Sequence, residues 1–190
     1  MKISCPTLCM LALSALPSIL ATAQVPVIHG VIPIANSVEL NGKFEALLDM
    51  TAVYTNPYDY DEIRVNAVFA APNGAETTVE GFYMEDYQIA NQNTGSLSPL
   101  GVNSFRIRFS PRQTGVWTYT VSCTNSSGTG TFSAQTFQCV SSGSGLNKGF
   151  VQSDQSNYLH FENGEQYIPV GENIAWQNIN PYVDYKTWVA

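Results

Sequence analysis

The sequence predicts an all-β fold, an antiparallel β-sandwich, followed by the opening strand and helix of a second unit of α/β type. Three observations carry this. Runs of Phe, Tyr, Val, Ile and Thr recur between turn residues as far as Val140, and ten Tyr with nine Phe favour sheets over helices. Two of the runs alternate apolar and polar residues with period two, as half-buried antiparallel strands do. Beyond Gly149 the pattern changes to a hairpin, a short apolar strand and a helix start at Asp184–Val189, a unit too small to bury its own apolar faces.

In chain order, Val25 to Ala35 is rich in Val, Ile and Pro and suits an extended edge segment. Phe44 to Tyr54 reads as a strand, interrupted by Glu45 and Asp49 and ended by Asn56-Pro57. Ile63 to Ala71 is the next strand, and it ends at Pro72-Asn73-Gly74, where Pro presets φ and Asn-Gly tolerates positive φ. Thr77 to Met84 forms another run. Phe105, Ile107 and Phe109 then share one face, with Arg106 and Arg108 opposite. Trp117, Tyr119, Val121 and Cys123 do the same against Thr118, Thr120, Ser122 and Thr124. Ser126 to Gly130 turns the chain into a last run, Thr131 to Val140. Phe132 and Ala134 differ in parity from Phe137 and Cys139, so a bulge near Gln135 is expected to put both pairs inside. About seven short strands with regular turn signals argue for a sandwich, and a small barrel fits the same pattern.

Residues 1–23 have the form of a cleavable export signal: Lys2, an apolar run from Leu8 to Leu20, and small residues Ala21-Thr22-Ala23 before Gln24. The run is too short to span a bilayer, so a secreted or periplasmic product with no membrane span is expected. Ser141-Ser142-Gly143-Ser144-Gly145 has the composition of a flexible linker. The expected organisation is therefore a signal at 1–23, the sandwich at 24–141, a linker at 142–148 and the second unit at 149–190, with a hairpin turning at Asn163-Gly164. Loss of the signal leaves Cys123 and Cys139. In an oxidising compartment their pairing is expected, closing a loop of sixteen residues worth about 3 kcal/mol; two buried free thiols are the alternative.

Charge is sparse and acidic, 15 Asp and Glu against 8 Lys and Arg. No basic stripe exists for phosphates, so nucleic acid is not an expected partner. His29 and His160 have no ligand spacing, and neither a nucleophile elbow nor a phosphate-cradling glycine loop occurs; no cofactor, metal or catalytic residue is assigned. Asp59, Asp61 and Glu62 read as a solvated loop in preference to a calcium site, their spacing not being that of an EF-hand. Asn125-Ser126-Ser127 is a sequon, relevant only in a eukaryotic host. Tyr54, Tyr58, Tyr60, Tyr83 and Tyr87 are either sandwich core or a patch on which sugar rings stack.

A resemblance adds to this reading. Asn56-Pro57, Phe69 with Pro72-Asn73-Gly74, Gly81-Phe82-Tyr83, and Arg108-Phe109-Ser110-Pro111 leading to Gly115-Val116-Trp117-Thr118-Tyr119 resemble the DUF5060 family. That family is an immunoglobulin-like domain at the amino terminus of secreted bacterial glycoside hydrolases, and the similarity covers most of Val38 to Val140. The segment Gly149 to Trp176 resembles the start of the (β/α)8 barrel of cellulase-like and DUF4038-type glycoside hydrolases. The resemblance implies that Tyr167 to Gly171 is the first barrel strand. It further implies that Glu172, Asn173 and Trp176 lie at the strand's carboxyl end, where barrel sites are built and sugars are contacted.

It also implies that the catalytic pair comes from later strands. Forty-one residues follow Gly149, against about 250 for a whole barrel. Glycoside hydrolysis needs two carboxyl groups, and Glu172 alone cannot supply both; buttressing of the barrel rim is its other reading. The chain is thus expected to be the non-catalytic amino-terminal portion of an exported enzyme acting on polysaccharide, partnered by its own barrel and, through the whole enzyme, by glycan. The alternative is a carbohydrate-binding or adhesive module without catalysis.

Overall fold

The computed structural model describes residues 24–143, 147–153, 158–171 and 187. Two sheets face each other. The first has the order β1 (Val27–Pro33), β3 (Phe44–Thr51), β7 (Ser96–Phe109), β6 (Phe82–Asn91), all antiparallel. The second runs β2 (Ser37–Glu39), β9 (Gly128–Val140), β8 (Gly115–Asn125), β4 (Ile63–Ala70), β5 (Glu76–Glu80). Only its β2–β9 pair is parallel among those pairings. A small antiparallel sheet, β10 (Val151–Ser153), β11 (Leu159–Phe161) and β12 (Gln166–Tyr167), follows. Among the described residues the twelve elements are all strands, as the composition predicts, and only Thr187 is helical.

The alternation read from the sequence sets which side chains meet. Along β8, Trp117, Tyr119, Val121 and Cys123 are buried and the residues between them are not. Phe105 and Ile107 of β7 face the same core, as do Ile63, Val65, Ala67 and Phe69 of β4. Phe44 on the first sheet joins the two layers: its ring stacks on Phe137 at 4.1 Å and meets Tyr119 and Phe69 edge-on at 5.2 and 5.9 Å. Phe109 stacks on Phe69 at 4.2 Å, again across the layers.

Three local expectations are refined. The run Thr77–Met84 is two strands, because the chain leaves the second sheet and joins the first at Gly81. A Cβ there would lie 2.6 Å from Val65 Cγ1 and 2.9 Å from the Arg106 carbonyl oxygen, so only glycine fits the crossing. The irregularity on β9 falls where expected: Tyr119 pairs with Gln135 but Val121 with Phe132, one extra residue on β9. It brings Phe137 and Cys139 inside and leaves Phe132 half-buried and Ala134 exposed. Strand β7 is far longer than the Phe105–Phe109 pattern, since with β6 it forms a ribbon reaching past the core.

The disulfide expectation is corrected. Cys123 and Cys139 are both fully buried free thiols. Cys139 is opposite Gly115 and Cys123 is opposite Gly130. They therefore sit at opposite ends of the β8–β9 ladder, eight residues apart along β8, roughly 26 Å at about 3.3 Å per residue. A disulfide needs Cα atoms within about 7 Å. Burial pushes the Cys123 thiol up to about 11 and raises Cys139 as well, so neither is a ready thiolate.

The hairpin at Asn163-Gly164 is present: Gly164 has φ of 88°, and the Phe161 N–H donates to the Glu165 carbonyl at 2.8 Å. The expected barrel strand Tyr167–Gly171 is not. Only Gln166–Tyr167 is extended, as the third strand of the small sheet, and Ile168 and Val170 stand exposed. Arg112 ties this sheet to the sandwich through an ion pair with Glu162 and a position 4.9 Å from the Phe150 ring centroid. The export signal, most of the linker's glycine end and the helix start lie outside the described residues, except for Thr187, which is helical.

The outer face of the first sheet carries a buried charge cluster. Glu45 and Arg106 alternate with core residues and so point away from the core, yet they are only 4% and 5% exposed. Glu45 accepts from Arg106 Nη1 at 2.9 Å, from Arg108 Nε and from Lys43 Nζ at 3.1 Å, while Arg106 also pairs with Asp86. Arg108 lies 4.6 Å from the centroid of the Phe82 ring on the neighbouring strand. Burial alone would raise the Glu45 carboxyl, but the hydrogen bonds from Arg108, Arg106 and Lys43 outweigh it and hold it at about 2. A folded-state value this far below the ordinary 4.5 stabilises the fold above pH 4.5, and that contribution drains away as pH falls toward 2. Chemical unfolding followed by circular dichroism across that window should show the loss. Glu45→Gln should be less stable at neutral pH by about 3 kcal/mol, because it removes the charge that three cations share and leaves the buried Arg106 with Asp86 alone, and should lack this part of the acid dependence.

Candidate functional site

The side chains with most chemical potential gather around one loop, residues 52–62, which joins β3 to β4 and so bridges the two sheets. Its shape is set by one carboxylate. Glu62 accepts the backbone N–H of Asn56 at 2.8 Å, the N–H of Thr55 and the Thr55 hydroxyl at 3.0 Å, closing the loop on itself. Those backbone bonds to Thr55 and Asn56 lower the Glu62 carboxyl. Asn56 Oδ1 accepts from Tyr58 N–H and Asp59 Oδ1 from Asp61 N–H, two Asx turns that fix the loop's tip. The acidic loop residues Asp59 and Glu62 thus bond to their own backbone.

Against this loop lies the inner face of the β6–β7 ribbon where it runs past the core. Tyr83, Glu85 and Tyr87 follow one another at period two on β6. Tyr58 from the loop packs edge-on to Tyr83 at 5.3 Å, Tyr83 to Phe105 at 5.2 Å, and Phe105 to Tyr54 at 5.8 Å. Glu85 sits between the outermost two rings: Tyr87 donates to it at 2.9 Å and Tyr58 at 3.5 Å. Both phenols are raised: Tyr58 by desolvation and then by Glu85, Tyr87 by its hydrogen bond to Glu85. Tyr58 is 60% and Tyr87 49% exposed, and Ile89 and Leu97, paired further along the ribbon, extend the surface. A small cavity of about 90 Å³ lies beneath, lined by Pro57, Tyr60, Ile63, Val65 and Phe105 among others.

The five tyrosines named from the sequence are therefore brought together, and they divide. Tyr54 and Tyr83 are half-buried supports, whereas Tyr58, Tyr60 and Tyr87 present surface. An array of exposed rings around a fixed carboxylate can stack on the apolar face of a ring and accept its hydroxyl protons. Glu172, Asn173 and Trp176 lie outside the described residues. Sequence reasoning missed Glu85, although Tyr83-x-Glu85-x-Tyr87 has the spacing of a single strand face and could have revealed it. It also missed Arg64 and Asn66, which alternate with the buried Ile63, Val65 and Ala67 and so must point outward.

Comparison with known proteins bears on these elements. Residues 37–124 match the family described as Domain of unknown function (DUF5060). The DUF5060 match runs from β2 almost to the end of β8, taking in the loop and the ribbon; β9 and the small sheet lie beyond it. No curated protein matches the sequence. Among solved structures, a putative glycoside hydrolase from Bacteroides vulgatus is similar, with 27% identity and a TM-score of 0.48 over 70% of this chain. The chain spans 21% of that protein's length.

The loop offers a check on its own construction. Tyr60 donates its hydroxyl to the Gly81 carbonyl, tying the loop to the point where the chain changes sheets. Tyr60→Phe keeps the ring but leaves that carbonyl without its partner. It should lower stability by about 1 kcal/mol, measured as a shift in denaturant midpoint at constant slope.

Proposed function

We propose that this chain is the amino-terminal, non-catalytic module of an exported glycoside hydrolase acting on polysaccharide. In this reading an immunoglobulin-like sandwich accompanies a (β/α)8 barrel that begins after Gly149. The observation that carries it is the DUF5060 match at residues 37–124, which spans the strands and turns on which the sequence resemblance rests. In the same reading, Glu172, Asn173 and Trp176 are sugar-contacting groups of the barrel.

The state of the carboxylates supports the non-catalytic part. A glycosidase needs one acid free to protonate a leaving group and a second, about 5–10 Å away, to act as nucleophile or base. Glu45 is held at about 2 by three cations, Asp86 is paired with Arg106, and Glu62 is bound to loop backbone. Glu85 accepts from two tyrosines. Each of the four is thus engaged by partners within its own chain.

The measurement is hydrolysis. The protein encoded by the longer reading frame should cleave a polysaccharide, with its catalytic glutamates at the ends of later barrel strands, while residues 24–148 should not. Cleavage by 24–148 alone, or a downstream frame without βα units, would reject the proposal. A second reading, glycan capture by a free-standing module, is favoured by the cluster of Tyr58, Tyr83 and Tyr87 around Glu85. Affinity electrophoresis in polysaccharide gels distinguishes it: retardation of 24–148 that disappears in Tyr58→Ala and Tyr87→Ala indicates capture, and unretarded migration indicates a module that serves only the barrel.

A further inference from the structure

The loop has a second, polar side. Tyr60, Asp61, Arg64, Asn66, Thr124 and Asn125 line a cleft of about 300 Å³ on the outward face of β4 and β8. Arg64 is directly opposite Thr124 in the ladder, and Asn66 is two residues along. The volume is at the small end of ligand pockets, about 300–1,000 Å³, and suits a single ring.

The cleft's polar groups differ in how they are occupied. Thr124 bonds Thr129 at 2.8 Å, and the Asn125 side chain donates to the Gln24 carbonyl and accepts from Ser127. These two form a fixed wall. Among the described residues, the Asp61 carboxylate and the Asn66 amide make no side-chain hydrogen bond. Arg64 stands apart more sharply. The described residues include six cations, and Lys43, Arg106, Arg108, Arg112 and Lys148 each pair with a carboxylate. Arg64 alone among them does not, in a chain of net charge −7 where carboxylates are abundant. Beside it the Tyr60 ring is pinned by its hydroxyl to Gly81 and keeps 40% of its surface exposed.

We propose that this cleft binds one carboxylate-bearing sugar ring, a uronate unit of an acidic polysaccharide. Arg64 takes the carboxylate, Asn66 and Asp61 take ring hydroxyls, and Tyr60 provides the apolar stacking face. A guanidinium offers a planar fork that matches a carboxylate with two parallel hydrogen bonds. Tyr60 needs little ordering on binding because its ring is already anchored. The net negative charge repels a polyanion at long range, so recognition is local, one carboxylate on one cation. The choice of a sugar over other carboxylates rests on the proposed link to polysaccharide; the cleft and its free cation do not.

Calorimetry on the chain with trigalacturonate and with its neutral counterpart, galactotriose, tests this. Trigalacturonate should bind at least about tenfold more tightly. Arg64→Met, a change at an exposed position, should erase that preference by weakening the acidic sugar alone, with an unaltered circular dichroism spectrum. Val116→Ala, at an exposed position at the far end of β8 from the cleft, should affect neither sugar. Equal binding of the two sugars, binding of the acidic one untouched by Arg64→Met, displacement by acetate as effective as by trigalacturonate, or no binding of either sugar would each overturn the proposal. Hydrolysis by the longer protein is read separately and does not depend on Arg64, so a failure here leaves that reading to its own measurement.

Discussion

The structure depends on an aromatic clasp between its two sheets. Phe44 comes from the first sheet and is fully buried, with Phe137, Tyr119 and Phe69 of the second sheet around its ring. Stacked and edge-on ring pairs contribute about 0.5–1.5 kcal/mol each beyond the area they bury, and these four rings share one another as partners. Phe109 and Trp117 extend the set, with the Trp117 N–H satisfied by the Gln113 carbonyl at 2.8 Å. Fixing Phe44 also fixes its neighbour. Glu45 must then point to the opposite face, where it collects Arg106, Arg108 and Lys43. The charge cluster is therefore a consequence of the clasp, through nothing more than strand alternation.

What could be read from the sequence was whatever alternation encodes. The phase of β8 was legible from Trp117 to Cys123, since one side of that strand faces only core. Phase gives the face of a residue but not its position along the sheet. Cys123 and Cys139 were correctly inward and wrongly paired, because register places them at opposite ends of the same ladder. The ribbon formed by β6 and β7 was nearly invisible. Past the core neither of its faces is buried, so no selection for alternation acts on residues 86–103. Gly81 was a similar case. One residue separates a strand of one sheet from a strand of the other, and the strand-like run Thr77–Met84 continues across it with no other turn residue. The tyrosines of the site were legible as a set, but which of them are supports and which are surface depends on where the ribbon outruns the core.

That overrun creates the site. A sandwich whose strands all ended together would bury Tyr83 and leave no place for Tyr58 or Tyr87. Here the ribbon carries the inner face of the first sheet beyond the last layer of core, and the loop between β3 and β4 folds up beside it. Glu62 makes the loop a fixed wall by satisfying two backbone donors and a hydroxyl at its base. Tyr60 then joins the loop to the sheet crossing at Gly81, where no side chain could be tolerated. Rigid rings on a short, self-bonded loop lose little freedom when they meet a ligand, so the surface is organised before any contact is made.

The distribution of charge separates the two sides of that loop. Along the outer face of the first sheet and at the small sheet, cations are matched to carboxylates: Arg106 and Arg108 to Glu45, Arg112 to Glu162, Lys148 to Glu165. Such pairs hold strands together and occupy both partners; Glu45, held at about 2 by its three cations, carries no proton near neutral pH. The aromatic side has a carboxylate, Glu85, that accepts from two phenols and pairs with no cation among the described residues. The polar side has a guanidinium, Arg64, in a cleft shared with Tyr60, Asp61, Asn66, Thr124 and Asn125, likewise without an ion pair among the described residues. Keeping an acceptor and a cation unneutralised on opposite faces of one rigid loop is wasteful for stability. The two groups differ in what remains: Glu85 still accepts from the Tyr58 and Tyr87 hydroxyls, whereas the Arg64 guanidinium lines a cleft in which no described carboxylate pairs with it.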